Sequence, residues 1–398
     1  MEECFVFTKD GERFMKKKIG ILLICLLVCL SLTGCWDAVE LQKRAVVLMI
    51  GIDQNEAGQG VIVSLQLARP QKFAPSSKGD TGSDSQNIVV VSRSGVEVTD
   101  AIRQIQLAID RKLFFGHVHG LVIQESLARH GLLSIMDPLL QSRTVPREAW
   151  LFVSHHSARE VLKQTPALDA IPSTYLANFF ENRLFFKRPY EVTLGGFHQR
   201  FATPGIEPIA VWLDVEDKAL SAPKIQGLAA FLGDKFVGKL NPSQSLGWEF
   251  IVNQFPRSPL TFSCASDQPN RFVIDIRNVK SVIRVSAYQM GVPQMWVRVE
   301  LHGYVEGGNY ILQQDQHELQ VLKQRVAEEL QTMVQTSLTQ CQQTLETDIL
   351  GTGLFVYRHN PHMWHGDKEW YTMFHRMKTS VHTEVHLDFL QTYRPISL

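Results

Sequence analysis

The sequence predicts an α+β protein of several domains, in which mixed sheets pack against helices. First, the segment Met295–His302 alternates apolar and polar residues, as a half-buried strand does. Second, apolar residues recur every three or four positions from Gln316 to Leu345, which is typical of a long amphipathic helix. Third, the strand-like runs are not spaced as βαβ units, so a doubly wound parallel sheet is not expected.

The 398 residues are enough for two or three domains, each with its own core. We predict a signal region at 1–34, an N-terminal α+β domain at 35–205, a middle β-rich domain at 206–290 and a C-terminal α+β domain at 291–398. The boundary at 205 follows from the segment Leu184–Pro208. This segment holds several Gly and Pro residues without clear periodicity and indicates a connection between domains.

Overall composition excludes some classes of protein without naming one. The 40 basic and 40 acidic side chains cancel, whereas a nucleic-acid binder needs a basic surface to pair with phosphates. Hydrophobic residues make up 44% and charged residues 20%, which indicates a folded chain rather than a disordered one. Six cysteines are too few for a fold held together by disulfides.

The N-terminal segment has the pattern of an export signal. Lys16, Lys17 and Lys18 precede the apolar run Ile19–Leu32, which is 14 residues long. A membrane-spanning helix needs about 20 residues, so the run is too short to serve as one. Residues 1–14 place mixed charge before the signal, and we therefore predict that translation starts at Met15.

The signal ends in a candidate lipidation site. Leu32-Thr33-Gly34-Cys35 resembles a bacterial lipobox, in which the chain is cut before the cysteine and the cysteine is diacylated. Two acyl chains give stable anchoring, so the mature protein would be tethered by Cys35 to the outer face of a membrane. The alternative is an ordinary cleaved signal with an incidental cysteine. Beside Cys35, the mature chain keeps Cys264 and Cys341, which could pair outside the cell. Because Cys341 lies on the apolar face of a predicted helix, we favour a core role for it.

The N-terminal domain is predicted to contain short strands and helices in alternation. Thr99 and Asp100 offer cap chemistry for a helix that buries a row of isoleucines, and 70–86 is expected to be an exposed loop. The predicted strands are Val61–Leu67, Asn87–Ser92, Val118–Gln124 and Trp150–Val153. The predicted helices are Ala101–Arg111 with Ile102, Ile105 and Ile109 on one face, a short helix ending near Gly131, Leu132–Gln141 and a capped helix at Ser157–Leu162.

The rest of the chain is predicted to be richer in strands, with one long helix. The expected strands are Gly227–Phe231, Phe236–Val237, Phe272–Ile276, Val279–Val285, Met295–His302 and Val381–Phe389. In the fifth of these, a core is expected to bury Met295, Val297, Val299 and Leu301. The apolar stripe of the long helix comprises Leu319, Leu322, Val326, Leu330, Met333, Ser337, Cys341 and Leu345, which we expect to pack on a sheet of the same domain.

Candidate catalytic and metal-binding patterns are weak. The pair His117 and His119 would point to one side of a strand, but no third ligand is suggested nearby. A second histidine group, spaced by three, surrounds Pro361, which opposes a regular helix; its members are His359, His362 and His365. The lone Gly351-Thr352-Gly353 lacks the rest of a phosphate loop and is interpreted as a helix C-cap. We predict no catalytic residue, metal or cofactor.

The residues after Cys35 carry a resemblance to a known family. The chain continues Trp36-Asp37-Ala38-Val39-Glu40-Leu41, then an apolar run, then Gly51-Ile52-Asp53. This order resembles the Ger(x)C family, the lipoprotein C subunits of nutrient germinant receptors in endospore-forming bacteria. Further similarity lies at Phe115-Gly116-His117, at 227–240, and at the long helix followed by Trp364 and Trp370.

The resemblance implies a function that composition and spacing do not show. It implies three α+β domains on the outer surface of the inner spore membrane, with the integral membrane A and B subunits as partners. It assigns defined chemistry to Cys35 alone and no catalytic residue. The alternatives are an extracytoplasmic solute-binding lipoprotein of a transporter, which needs the βαβ spacing that we do not find, and an anchored hydrolase.

Overall fold

The structure is a computed structural model, and it separates the chain into two units, residues 1–44 and 45–398, which are described individually. In the first unit, residues 17–24 are helical. The residues described are 17–24, 43–56, 59–69, 88–141, 145–167, 171–181, 192–217, 222–263, 271–289, 292–308 and 316–389. Cys35, Cys264 and the predicted loop at 70–86 lie outside them.

The described residues form thirteen strands in two sheets, which confirms the α+β class. The first sheet contains β1 (Arg44–Gln54), β2 (Val61–Ala68), β3 (Ile88–Gly95), β4 (Lys112–Phe114), β5 (Gly120–Gln124), β6 (Trp150–Ser154), β7 (Ile209–Asp217), β8 (Ala222–Leu232) and β9 (Lys235–Leu240). Its helices are α1 (Val98–Leu107), α2 (Glu125–His130), α3 (Leu133–Gln141), α4 (Ala158–Lys163), α5 (Pro172–Glu181), α6 (Leu194–Phe201) and α7 (Pro242–Ile251).

The first sheet corrects one prediction. Its strand order is β3-β2-β1-β5-β6-β7-β8-β9, with β4 paired to β1. The four central strands β1, β5, β6 and β7 run parallel, and helices connect β5 to β6 and β6 to β7. The expectation that βαβ spacing is absent was therefore wrong. The strands are short and two or three helices lie between them, so a simple strand–helix rhythm is not visible in the sequence.

Both faces of the central strands are buried, as is usual where helices cover a parallel sheet. Neighbouring residues on a strand point to opposite faces and enter two different cores. In β6, for example, Phe152 lies in one core, with α4 and α5, while Leu151 and Val153 lie in the other, with α1, α3 and α6. This explains why the strands are continuously apolar rather than alternating.

The second sheet has the order β10-β11-β12-β13, with β10 (Ser258–Ser263), β11 (Arg271–Gln289), β12 (Val292–Gly308) and β13 (Lys378–Phe389). The predicted runs at Phe272–Ile276 and Val279–Val285 are one long strand that pairs antiparallel with β12, whereas β13 pairs parallel with β12. Between β12 and β13 lie α8 (Gln316–Thr339), a π-helical turn (Gln340–Thr344), α9 (Thr352–His359), a short 3₁₀ turn (Pro361–Met363) and α10 (Asp367–Arg376).

The amphipathic patterns of this part are confirmed. Met295, Val297, Val299 and Leu301 are buried, and they share one core with the α8 stripe. The stripe residues are buried except Met333, which is partly buried against the same core. A helix thus packs its apolar face on its own sheet, as its pattern predicts.

Several local predictions needed correction. Helix α1 begins at Val98 with Glu97 at the N-cap, so Thr99 and Asp100 lie within its first turn, and the Asp100 carboxylate accepts a hydrogen bond from Val96 N. Helix α6 lies inside the segment predicted to be a connection. The predicted boundary at 205 stays a prediction, although strands before and after it share the first sheet.

Candidate functional site

The end of β1 is locked to the start of α4 by a carboxylate. Asp53 is buried, and its oxygens accept hydrogen bonds from Ala158 N at 2.6 Å, Arg159 N at 3.1 Å and the Ser157 hydroxyl at 3.1 Å. Ser157 itself makes no cap hydrogen bond, so the capping side chain comes from a distant strand rather than from the predicted N-cap. Burial raises the pKa of the Asp53 carboxyl, and the three donors oppose that shift.

Gly51, two residues before Asp53, permits the same contact. A Cβ atom at Gly51 would lie 3.1 Å from the Ala158 Cβ and 3.3 Å from the Leu162 side chain. The Gly-Ile-Asp sequence is thus explained by close packing of β1 against α4 and by capping of that helix. It forms a structural joint and leaves no open carboxylate for chemistry.

A second buried carboxylate, Asp348, organises the segment after α8. Its oxygens accept hydrogen bonds from Gly351 N (2.9 Å), Thr352 N (3.2 Å), the Thr352 hydroxyl (2.6 Å), Gly353 N (2.7 Å) and the Trp370 indole N–H (2.8 Å). Three of these donors are backbone N–H groups at the start of α9, where a negative charge is stabilised. Burial raises the pKa of Asp348, and the Thr352 hydroxyl is the strongest of the donors that oppose the shift.

Asp348 belongs to a network that we call the Asp348 hub, formed with Arg200, Glu207, Trp370 and Tyr371. Glu207 N donates to the Asp348 carbonyl, and the Glu207 carboxylate accepts from the Tyr371 hydroxyl and from Gly233 N. Arg200 donates to the carbonyls of Glu207 (2.9 Å) and Ile349 (2.6 Å). Burial lowers the pKa of Arg200 to about 10, while the carboxylates of Asp348 and Glu207 favour its charged form.

Two glycines allow the chain segments at the hub to approach. Gly205 has φ +72°, and a Cβ there would lie 2.3 Å from the carbonyl carbon of Gly353. Gly351 has φ +78° and occupies the N-cap position of α9. The interpretation of the Gly351-Thr352-Gly353 motif as a C-cap of the long helix was wrong, because the motif begins the next helix and supplies N–H donors to Asp348.

The predicted histidine groups do not assemble into metal sites in the described part of the chain. His119 is half-buried, and this burial lowers its pKa, while His117 is exposed. His359 Nδ1 contacts the Phe355 carbonyl at 3.0 Å, and His362 and His365 are not brought into a ligand cluster with it. Cys341 is buried with a free thiol, and burial raises its pKa well above the ordinary value, as expected for a core residue.

The outer face of the second sheet lines a cavity that is open to solvent. A cavity of about 910 Å³ lies against it, between β11, β12, β13 and the end of α9. We call it the sheet groove. Its polar and aromatic lining includes Lys280, Arg284, Trp296, Arg298, Glu300 and His382. The exposed indole suits a partner with an apolar part, while Glu300 and Glu384 offset part of the charge of the three cationic side chains.

Two protein-family models match most of the chain and identify its class. The family model described as "Spore germination protein N-terminal domain" matches residues 37–215. The model described as "Spore germination B3/ GerAC like, C-terminal" matches residues 226–388. The fold and the two matches together define the class as spore germination proteins. The chain belongs to the Ger(x)C family, which confirms the resemblance carried by the residues after Cys35.

Individual relatives agree with that assignment. Spore germination protein KC of Bacillus subtilis (strain 168) is 23% identical over 375 residues, which cover 89% of this chain and 91% of the relative. The putative spore germination protein YfkR of the same organism is 26% identical over 269 residues, 66% of each chain. The crystal structure of the GerBC protein matches with a TM-score of 0.52 at 14% identity, covering 85% of this chain and 96% of that one, which shows a shared fold.

Proposed function

We propose that this chain is the lipid-anchored subunit of a nutrient germinant receptor, and that it acts by binding rather than by catalysis. The observation that carries the proposal is the family match across 37–388, which begins two residues after the lipobox cysteine. The integral membrane A and B subunits of the receptor are its proposed partners. Its proposed location is the outer face of the inner spore membrane, with Cys35 as the acylated residue.

The N-terminal unit supports an export and anchoring step. Residues 17–24 form a helix in which Ile19, Ile21, Leu22, Leu23 and Ile24 are each more than half exposed, at 53–72% of their surface. Such a helix suits an apolar environment during membrane insertion. No helix in the described residues is both long and apolar enough to span a membrane.

The buried polar groups support a binding role over an enzymatic one. The carboxylates of Asp53 and Asp348 both accept hydrogen bonds from donors within the chain. Neither of these two carboxylates lies open to a substrate. A catalytic acid or base must instead reach the reacting atoms. The sheet groove, by contrast, presents cationic and aromatic side chains to the outside.

The test replaces the lipidated cysteine in the native spore former. Cys35→Ala is compared with the parent and with Cys264→Ala, which also removes one cysteine but leaves the lipobox intact. We expect Cys35→Ala to lose incorporation of labelled palmitate, to leave the membrane fraction, and to lose the optical-density drop for one nutrient class. Cys264→Ala should behave as the parent in all three assays.

A deletion strain distinguishes the alternatives. If deletion of the whole gene abolishes one nutrient response while Cys35→Ala leaves it intact, the receptor role holds and the lipid anchor is dispensable. If the deletion germinates normally with every nutrient but loses uptake of a solute, the transporter-associated solute-binding lipoprotein replaces the receptor subunit. The parallel strands now seen in the first sheet make that control worth including.

A further inference from the structure

Four polar side chains form a rectangle on the outer face of the second sheet, next to the sheet groove. In the parallel pairing of β12 and β13, Glu300 lies opposite Glu384 and His302 lies opposite His386. Because residues two apart on a strand share a face, all four side chains project to the same side. We call this group the β12–β13 rectangle.

The ligand atoms of the rectangle are already close together. His302 Nε2 lies 2.9 Å from Glu300 Oε1, and His386 Nε2 lies 3.7 Å from the same oxygen. His386 Nε2 is also 3.3 Å from Glu384 Oε1. One ligand atom from each of Glu300, His302 and His386 falls within 4.8 Å of the others. Around a tetrahedral zinc ion with bonds of about 2.0–2.2 Å, ligand atoms are separated by about 3.4 Å.

We propose that Glu300, His302 and His386 bind a divalent transition-metal ion of the zinc type, with the fourth position left to Glu384 or water. Two imidazoles and a carboxylate are a ligand set that zinc takes in proteins. Calcium and magnesium prefer oxygen ligands alone, so the two histidines select against them.

The side chains around the β12–β13 rectangle determine how the histidine rings are oriented and how the charge of the two carboxylates is offset. The two imidazole rings stack with centroids 4.5 Å apart and planes 16° from parallel, so both Nε2 atoms reach one ion only when the rings tilt out of this stack. Arg298 pairs with Glu384, and Lys280 acts on Glu300 from β11, so cations border the rectangle and offset the two carboxylates.

A bound ion would join the edge strand to its neighbour. β13 is the last strand of the sheet order and pairs only with β12 among the described strands. A metal bridge from His386 and its partners on β12 would tie this strand in place, and binding to the folded state would raise the melting temperature. The site also borders the sheet groove, because Glu300 belongs to both.

The test uses the full chain, purified in detergent without a histidine tag and stripped of metal with EDTA. Titration calorimetry with ZnCl₂ is expected to give one equivalent bound, and the melting temperature is expected to rise with zinc. His302→Ala and His386→Ala should each weaken zinc binding more than about tenfold, since even changes outside the direct ligands cost that much. His382→Ala is the matched control, because His382 is exposed on the same face of β13 and lies outside the rectangle.

Each other outcome would overturn the proposal. This site would be excluded if the wild-type chain did not bind zinc, or if His302→Ala and His386→Ala both bound zinc as tightly as wild type. It would also be excluded if His382→Ala weakened zinc binding as much as the ligand variants do. Tight binding of CaCl₂ or MgCl₂ in place of zinc would exclude the transition-metal assignment. Circular dichroism of each variant establishes that a loss of binding is not a loss of folding, and His386→Gln provides a second ligand variant. The outcome is independent of the receptor role proposed above, because the readout is metal binding.

Discussion

Asp348 is fully buried, and five donors point at its two oxygens, so its charge is matched by the fold rather than by solvent. Asn at this position would turn an NH₂ group toward some of those donors. We expect Asp348→Asn to lower the free energy of unfolding by about 3 kcal/mol, as is typical when one partner of a buried charged network is removed. Urea denaturation followed by tryptophan fluorescence measures this, with Trp370 as a local probe.

Asp388→Asn is the control for that substitution, because Asp388 is exposed on β13 and the same chemical change should there alter stability by less than about 0.5 kcal/mol. Equal effects of the two variants would mean that the Asp348 hub contributes little to stability.

His119 is expected to make stability depend on pH. Burial lowers its pKa below the ordinary value of 6.5, and its Nδ1 atom has no hydrogen-bond partner among the described residues. The unfolded chain therefore takes up a proton at a higher pH than the folded chain does. Stability from this group is complete above about pH 6.5 and is lost as the pH falls toward the folded-state pKa.

We expect His119→Gln to reduce the loss of unfolding free energy between pH 7.5 and pH 5. Urea midpoints of wild type and variant at several pH values measure the difference. A slope unchanged in His119→Gln would exclude His119 as the origin.

At the scale of elements, periodic patterns predicted well where one face is buried. The core positions of β12 and the stripe of α8 were confirmed because each element presents a single apolar side to one core. Helix α6 was missed because Gly195 and Gly196 weaken its helical propensity, although Thr193 caps it through Gly196 N. The central parallel strands were hard to recognise because they are buried on both faces and lack alternation.

The candidate sites were harder to predict than the elements. The Asp348 hub joins residues near 205 to residues near 350 and 370, and no local pattern encodes that proximity. Its only local trace is the short run from Asp348 to Gly353, which resembles a turn. The β12–β13 rectangle requires the parallel register of two strands that are separated by about eighty residues of sequence, which the alternation in each strand does not fix.

Helix α7 crosses α8 at a glycine, and this contact gives an element-scale prediction. A Cβ atom at Gly247 would lie 2.4 Å from the Met333 carbonyl oxygen and 2.8 Å from the Ser337 Cβ. We expect Gly247→Ala to destabilise the protein by about 2 kcal/mol, since overpacking forces the helices apart. The thermal unfolding midpoint, compared with that of wild type, measures it.

Gly196→Ala is the matched control, because it also lies in a helix but meets only the Thr193 hydroxyl at 3.2 Å. Alanine there should be neutral or stabilising by up to about 1 kcal/mol. If both variants were stabilising, the close approach of α7 and α8 would not limit the packing.

On the scale of the whole molecule, the two matched family segments meet inside a continuous structure. The first ends at 215 and the second begins at 226, yet β7 and β8 on either side pair antiparallel in the first sheet. Hydrogen bonds also connect Leu354 N to the Gly205 carbonyl and Glu207 N to the Asp348 carbonyl. The segments therefore share a core as well as a sheet.

We expect that cutting the chain between β7 and β8 does not release two independently folded domains. A protease site in place of residues 218–221 would leave β7 paired with β6 but without β8 in one fragment. The other fragment would hold the Asp348 hub without Arg200 and Glu207. After cleavage, the fragments should co-elute in size-exclusion chromatography, and each fragment expressed alone should lack a cooperative thermal transition. Two separate cooperative transitions would instead establish autonomous domains, and would support a division of the chain in this region, as the predicted boundary at 205 requires.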